Sequence, residues 1–148
     1  MNADARFTQA AKDLGYSFEG ELKVGGNYVP LIRDGNVVYI SGQVPRVGSA
    51  VVVTGRVGDQ VTLEQGQLAA KVCAMRTLAL LQRELGSLDK VRQLLRVTVF
   101  TQSAANFTQQ IHNGESFPRR GGSAQIVRAW RRAATNTDVR NSSVAAGL

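Results

Sequence analysis

The chain has 148 residues, of which 43% are hydrophobic and 20% charged, and its formal net charge at pH 7 is +7. This length and composition are typical of one folded domain, and they exclude an intrinsically disordered or fibrous protein. No apolar run reaches the roughly 18 residues of a membrane span, and the N-terminus lacks the apolar core of a secretory signal. We therefore expect a single cytoplasmic domain over residues 1–148, with no membrane partner.

The positive charge is concentrated towards the C-terminus. Residues 1–110 carry a net charge of +3, whereas residues 111–148 carry six arginines against Glu115 and Asp138, a net charge of +4. A basic segment can bind nucleic acid, but no RNA-recognition motif with interleaved aromatic residues accompanies these arginines. RNA therefore stays an alternative partner, and an exposed basic face is the simpler interpretation.

The first predicted elements are a helix and a hairpin. Over residues 3–14 apolar side chains recur at helical spacing, and Gly15 follows as a stop signal. Strands are predicted over residues 27–33 and 37–43, because the Asp-Gly pair between these two apolar runs favours a hairpin turn. Pro30 lacks a backbone N–H, so we expect the first strand to lie at a sheet edge or to be irregular at this residue.

A long helix over residues 63–85 is the clearest element. A loop with one short extended piece is predicted before it, over residues 46–61. Thr62 and Gln65 then have the spacing of a capping box, and an apolar stripe follows at helical spacing. Valines alternate with polar residues towards the end of residues 91–100, which predicts a strand. The short link between helix and strand indicates that the helix lies across the sheet.

The sequence changes character after about Ile111. Lysine disappears, and helical periodicity remains only over residues 124–134. The final residues, 135–148, are polar and weakly patterned, and we predict that they do not form a closing core strand. We interpret residues 111–148 as a divergent basic tail, or as the product of an altered reading frame, that lacks closing strands.

Metal and nucleophilic chemistry have few candidate residues. The chain has one histidine, His112, and one cysteine, Cys73, which is too few for a zinc site. A catalytic triad would need His112 to meet a nucleophile and an acid, and an isolated histidine in a loop is usually a solvated side chain, so we set triad catalysis aside. Because Cys73 lies inside an apolar helical run, we interpret it as a buried structural thiol. We expect no metal and no other cofactor.

The stretch VVYISGQVP, residues 37–45, ends a strand in small polar residues. The hydroxyl of Ser41 can donate and accept, and Gly42 lets a ligand approach the backbone N–H directly. A nearby arginine would complete a carboxylate site, because guanidinium is a planar bidentate donor. From these residues alone, a structural bend is the alternative.

Several segments together resemble one family. They are NYVPLIRDGNVVYISGQVP, the Gly-rich loop and helix that follow, and the strand ending VTVF. They are similar to the Rid family of reactive-intermediate deaminases, also known as YjgF-like or endoribonuclease L-PSP proteins, over residues 22–110. The resemblance implies a chorismate-mutase-like α+β fold, with helices packed on one face of a sheet. It also implies a homotrimer with ligand clefts between subunits and no metal.

The resemblance further implies which residues form the cleft. Tyr28, Ser41 and Gly42 match family positions that bind a small carboxylate-bearing metabolite, whose carboxylate is held by an arginine from a later strand. In the family, an acidic residue on the last strand positions water for hydrolysis of a 2-imino acid. No matching acidic strand is found here, so no catalytic residue is assigned. The candidates for the arginine are Arg131, Arg120 and Arg140.

Two functions follow as hypotheses. The first is a Rid-like protein that binds a small 2-imino or 2-keto acid between subunits and hydrolyses imines to keto acids and ammonia. The alternative is a non-catalytic module of the same fold that binds a metabolite or RNA.

Overall fold

The computed structural model of the chain describes residues 1–109 and 144–147. These residues form two α-helices, α1 (Ala3–Leu14) and α2 (Leu63–Leu85), and a short 3-10 helix at Leu88–Lys90. They also form strands, which are β1 (Leu31–Asp34), β2 (Val37–Ile40), β3 (Arg46–Val47), β4 (Ala50–Val51), β5 (Gln93–Val97) and β6 (Val144–Gly147).

The main sheet has four strands in the order β1-β2-β6-β5, and every neighbouring pair is antiparallel. The predicted hairpin is confirmed: Asp34 pairs with Val37. Gly35 in the turn has a φ of 55°, which glycine adopts without a Cβ penalty. Among the described strands β1 lies at the edge of the sheet, which is one of the two outcomes that Pro30 predicts, and it starts only after that proline. Strand β5 is shorter than the predicted residues 91–100.

The small second sheet differs from the single extended piece predicted for residues 46–61. Two short strands, β3 and β4, pair antiparallel there, with Arg46 opposite Val51 and Val47 opposite Ala50. Gly48 lies in the turn between them with a φ of 57°. The pairing therefore begins at Arg46, directly after the predicted ligand-binding strand end.

The C-terminal strand corrects the prediction that the final residues form no core strand. Residues 144–147 lie between β2 and β5 and pair with both of them. Their sequence, Val-Ala-Ala-Gly, has no alternation of apolar and polar residues, so the period-2 signal of a half-buried strand was absent. The interpretation of a tail without closing strands is thus wrong for residues 144–147, and residues 111–143 lie outside the described residues.

Both helices have the bounds that the sequence predicts. Asn2 caps α1, and Gly15 ends it in the left-handed conformation. For α2, the Thr62 hydroxyl accepts a hydrogen bond from the Gln65 N–H at 3.3 Å, and the Gln65 side chain accepts one from the Thr62 N–H at 2.9 Å. This is the predicted capping box, and it fixes the first turn of the helix.

The core lies between the sheet and α2. Val38 and Ile40 are buried on one face of β2, where they pack with leucines of α2, whereas Tyr39 between them is exposed on the other face. Helix α1 packs on the same side, and the rings of Phe7 and Phe18 lie 6.4 Å apart. The predicted α+β arrangement with helices on one face is confirmed. In the part of the chain that is described, no helix is both long and apolar enough to cross a membrane.

Candidate functional site

The end of β2 places a polar hydroxyl in the protein interior. After Ile40 the chain leaves the strand, and the Ser41 N–H donates to the carbonyl of Pro30 at 2.9 Å. The Oγ atom of Ser41 is buried and has no hydrogen-bond partner among the described residues. An unpaired buried hydroxyl costs roughly 1–3 kcal/mol, and native proteins rarely leave one. Ser41 is therefore a position where a further polar group is expected.

Tyr28 belongs to the segment that lies beside this strand end. The hydrogen bond between Ser41 and Pro30 brings the backbone two residues after Tyr28 alongside Ser41. Tyr28 is 46% exposed, so part of this residue is accessible to a ligand. Gly42 follows Ser41 and is half-buried. The structure thus brings these three predicted residues to one end of the sheet.

The other predicted site residues lie outside the described residues. They are Arg131 and Arg120, together with Arg140, His112, Glu115 and Asp138. The helix predicted over residues 124–134 falls in the same range. The arginine that would hold a substrate carboxylate therefore remains a prediction.

A buried arginine on α2 is hydrogen-bonded to Gln43, next to the Ser41-Gly42 strand end. Arg76 on α2 is only 2% exposed, and its Nε donates to Oε1 of Gln43 at 3.1 Å. The Gln43 Nε2 in turn donates to the carbonyl of Ser41 at 3.1 Å. Helix α2 is thereby connected through Gln43 to the backbone of the candidate site.

Two further hydrogen bonds make Arg76 a junction of three segments. Its Nη1 donates to the carbonyl of Arg46 at 3.1 Å, and its Nη2 donates to the carbonyl of Lys23 at 2.8 Å. A planar guanidinium with donors in fixed directions suits this role, because it holds three acceptors in one geometry. The segment before β1, the end of β2 and the start of β3 are all fixed to α2 in this way.

The charge of Arg76 is not neutralised by a carboxylate of the described residues. Burial is the main cause that lowers the pKa of Arg76, and the charge of Arg46 lowers it further. Cys73 and Tyr28 act in the opposite direction, but no aspartate or glutamate does. Because an arginine stays protonated in proteins, the positive charge of Arg76 persists next to the Ser41-Gly42 strand end and favours anions there.

Neither Arg76 nor Gln43 is among the site residues predicted from the sequence. A signal was present, because Arg76 lies four residues after Val72 and three before Ala79, on the buried stripe of α2. A charged residue in the middle of an apolar stripe is rarely buried without specific partners. Those partners come from segments up to 53 residues away, which periodicity does not identify.

Cys73 behaves as the sequence predicts. It is half-buried on α2, and burial raises the pKa of its thiol to about 12. A thiol with so high a pKa is a poor nucleophile and a poor metal ligand at neutral pH. Within residues 1–109 and 144–147, no group of three or more histidine, cysteine, aspartate or glutamate side chains is arranged to hold a metal ion.

The chain is similar in sequence to a protein of a trypanosome. Protein TCP17 of Trypanosoma cruzi is 32% identical over 116 residues, which cover 77% of this chain and 72% of TCP17. No family model matches the chain.

Solved structures share the fold. A structure from Shewanella oneidensis, described as a putative endoribonuclease, superposes with a TM-score of 0.73 and 17% identity, covering 96% of this chain and 99% of that one. Protein Atu1372 of Agrobacterium tumefaciens, described as of unknown function, superposes with a TM-score of 0.69 and 24% identity. That match covers 96% of this chain and 91% of Atu1372.

Proposed function

This chain belongs to the Rid, or YjgF-like, family, and from that premise we propose that it binds a small 2-imino or 2-keto acid at the end of β2 and hydrolyses the imine. The observation that supports the proposal is the buried hydroxyl of Ser41 beside Gly42, which has no hydrogen-bond partner in the described part of the chain. A substrate carboxylate would accept a hydrogen bond from this hydroxyl and remove the cost of leaving it unpaired.

Each residue of the site has a binding role in this proposal. Ser41 and the N–H of Gly42 donate to the carboxylate, and Tyr28 closes the exposed side with its ring and hydroxyl. The tail supplies the bidentate arginine, Arg131 or Arg120. The buried charge of Arg76 adds a favourable potential for a carboxylate.

The proposed hydrolysis consumes the imine and one water molecule. The oxygen of water forms a bond to the imine carbon, and both protons of that water move to the imine nitrogen. The carbon–nitrogen bond then breaks with its electron pair going to nitrogen, so that ammonia leaves and the carbon–oxygen double bond of a keto acid forms. The side chains named above bind and orient the acid, which converts an encounter with water into an attack within a fixed geometry.

We also propose that the chain forms a homotrimer with its clefts between subunits, as family members do. The outer face of the sheet supports self-association, because Ile32 and Tyr39 are direct cross-strand neighbours and are 61% and 53% exposed. Leu95 on β5 is also 45% exposed. An apolar sheet face of this kind is typical of an interface. Sedimentation of the wild type and of Tyr39→Asp tests this proposal. We expect the wild type to sediment as a trimer and Tyr39→Asp to sediment as a smaller species. A monomeric wild type would contradict the proposal.

An imine-trapping assay tests the activity. An amino acid oxidase makes the imine in solution, and semicarbazide traps whatever is not hydrolysed. We expect the wild-type protein to lower the yield of trapped imine and to raise the yield of keto acid and ammonia. The same yield of trapped imine with and without a high concentration of protein would refute the hydrolase.

Single substitutions test which of these residues bind the substrate. Ser41→Ala should reduce kcat/KM by about tenfold or more, because it removes a hydrogen bond to a charged group. Arg131→Gln and Arg120→Gln identify the carboxylate-binding arginine, with Arg132→Gln as the charge-matched control in the same tail. Equal activity in all of these variants would contradict the assignment of the site.

The non-catalytic alternative gives a different result. A metabolite-binding module would be stabilised against heat by a keto acid without lowering the yield of trapped imine. An RNA-binding protein would retain RNA in a strongly salt-dependent manner, since phosphate contacts weaken steeply with ionic strength.

A further inference from the structure

A second candidate site also borders Arg76. It is an open cleft of about 520 Å³ between residues 17–23, the β3–β4 turn and α2. None of Tyr28, Ser41 and Gly42 lines it. We call it the basic cleft, and its polar side chains are those of Ser17, Glu21, Lys23, Arg46, Ser49 and Arg76.

The charges of the basic cleft are unbalanced. Lys23, Arg46 and Arg76 contribute three positive charges, and Glu21 is the single acidic residue among the lining residues. Burial of the Arg76 guanidinium, close to the charge of Arg46, lowers the pKa of Arg76. Holding like charges together without a counterion is unfavourable, so the cleft favours a ligand with about two negative charges.

The cleft also has hydrogen-bond donors without acceptors. The Nε of Arg46 is buried and has no hydrogen-bond partner within residues 1–109 and 144–147. Towards the part of the chain that is described, Arg76 uses three of the five N–H groups of a guanidinium, on Gln43, Arg46 and Lys23, which leaves one N–H each on Nη1 and Nη2. A buried N–H without an acceptor is costly, and an anion with several oxygen atoms would satisfy more than one of them.

We propose that the basic cleft binds a phosphate group, either as free phosphate or as the end of a small phosphomonoester. A phosphate carries about −1.5 to −2 charges at pH 7 and three acceptor oxygens, which matches the excess positive charge and the free donors. The volume lies within the range of roughly 300–1,000 Å³ that is usual for small-molecule sites.

A terminal phosphate fits this cleft better than the backbone of a nucleic acid. Arg76 forms the back of the cleft and is 2% exposed, so only a small group that enters the cleft approaches it. Backbone phosphates of RNA are flanked by sugars on both sides and are usually bound by exposed cations. Lys23 at the exposed side then meets the outer oxygens of the bound phosphate.

Thermal unfolding with inorganic phosphate and with glycerol 3-phosphate tests the proposal, each against sodium chloride of equal ionic strength. Ligand that binds only the folded state raises the midpoint with increasing concentration. We expect a rise with phosphate, and a larger rise with glycerol 3-phosphate if the natural ligand is a phosphomonoester. No rise beyond that in chloride, with either probe, would overturn the proposal.

Substitutions inside and outside the basic cleft test whether phosphate binds there. The double variant Lys23→Gln/Arg46→Gln removes two cations but keeps the backbone carbonyls that Arg76 requires, so it should fold and bind phosphate at least about tenfold more weakly. Arg92→Gln, which removes an exposed cation outside the cleft, should change the affinity less than about twofold. Glu21→Gln should strengthen binding by about twofold to fivefold, because it removes the opposing charge.

Three results would contradict the assignment. They are an equal loss of affinity in Arg92→Gln and in the double variant, a weaker affinity in Glu21→Gln, and loss of the phosphate response in Ser41→Ala. The last result would place the anion at the strand end. A single-stranded RNA that displaces phosphate from the wild type but not from the double variant would also overturn the proposal, in favour of RNA.

Discussion

The side chains of Arg76 and Gln43 are hydrogen-bonded across 33 residues of sequence, with Nε and Oε1 3.1 Å apart. Gln43 follows Ser41-Gly42, and its amide holds the Ser41 carbonyl at 3.1 Å. One contact therefore joins the long helix to the strand end that carries the candidate ligand site. The same guanidinium also borders the basic cleft, so both proposed sites depend on its position.

Replacement of this arginine should destabilise the fold. Arg76→Met removes hydrogen bonds to Gln43, Arg46 and Lys23 together, and it leaves buried acceptors unpaired. We expect the free energy of unfolding to fall by about 2–4 kcal/mol, measured by urea denaturation. Arg76→Lys keeps the charge but lacks the planar fork, so it should recover less than half of the loss. A loss below about 1 kcal/mol in Arg76→Met would show that the junction is dispensable.

Asp4 should make the docking of α1 dependent on pH. Its carboxylate accepts from the Leu88 N–H at 3.0 Å, from Ser87 Oγ at 2.5 Å and from Gln82 Nε2 at 2.7 Å. These bonds, that of Leu88 first, lower the pKa of Asp4. The stabilisation is therefore complete above the ordinary aspartate pKa of about 4 and is lost as the pH falls through the lower folded value.

The corresponding measurement compares the wild type and Asp4→Asn by urea denaturation between pH 7 and pH 2.5. We expect the variant to be less stable at pH 7 by about 1–2 kcal/mol, with the difference shrinking towards zero at the acidic end. Asp59→Asn, at an exposed position, serves as the control and should show little difference at either pH. A gap for Asp4→Asn that stays constant with pH would be inconsistent with this role.

The capping box of α2 should contribute measurably to stability. Thr62→Ala removes the oxygen that accepts from the Gln65 N–H, so we expect a loss of about 1 kcal/mol in thermal or chemical denaturation. Thr62→Ser keeps that oxygen and should stay within a few tenths of the wild type. If serine were as damaging as alanine, packing of the threonine methyl group would be the cause instead.

Cys73 should react slowly with thiol reagents in the folded protein. Burial raises the pKa of its thiol to about 12, so only on the order of one thiol in ten thousand is ionised at pH 8. Labelling with a disulfide reagent at pH 8 should be at least about 100-fold slower in buffer than in concentrated urea, where the pKa returns to about 8.5. Equal rates in the two solutions would contradict the structural role of this thiol.

The sequence predicted the local elements because their causes are local. The capping box of Thr62 and Gln65 lies within four residues, and the Gly35-Asn36 turn joins two strands directly. Helix α1 likewise ends at Gly15, where the left-handed conformation satisfies the last carbonyls. Ser41 and Gly42 were recognisable too, because a strand of β-branched residues ends there in small polar ones.

The tertiary structure alone decided two other features. Residues 144–147 carry no strand pattern, and they become a central strand because β2 and β5 offer unpaired backbone groups on both sides. In the sequence, Arg76 is a charged residue on an otherwise apolar stripe. In the fold it is buried, because oxygen atoms from three distant segments accept its hydrogen bonds. Capping and turn formation depend on neighbours along the chain, whereas strand pairing and charge burial depend on partners that only the complete fold brings together.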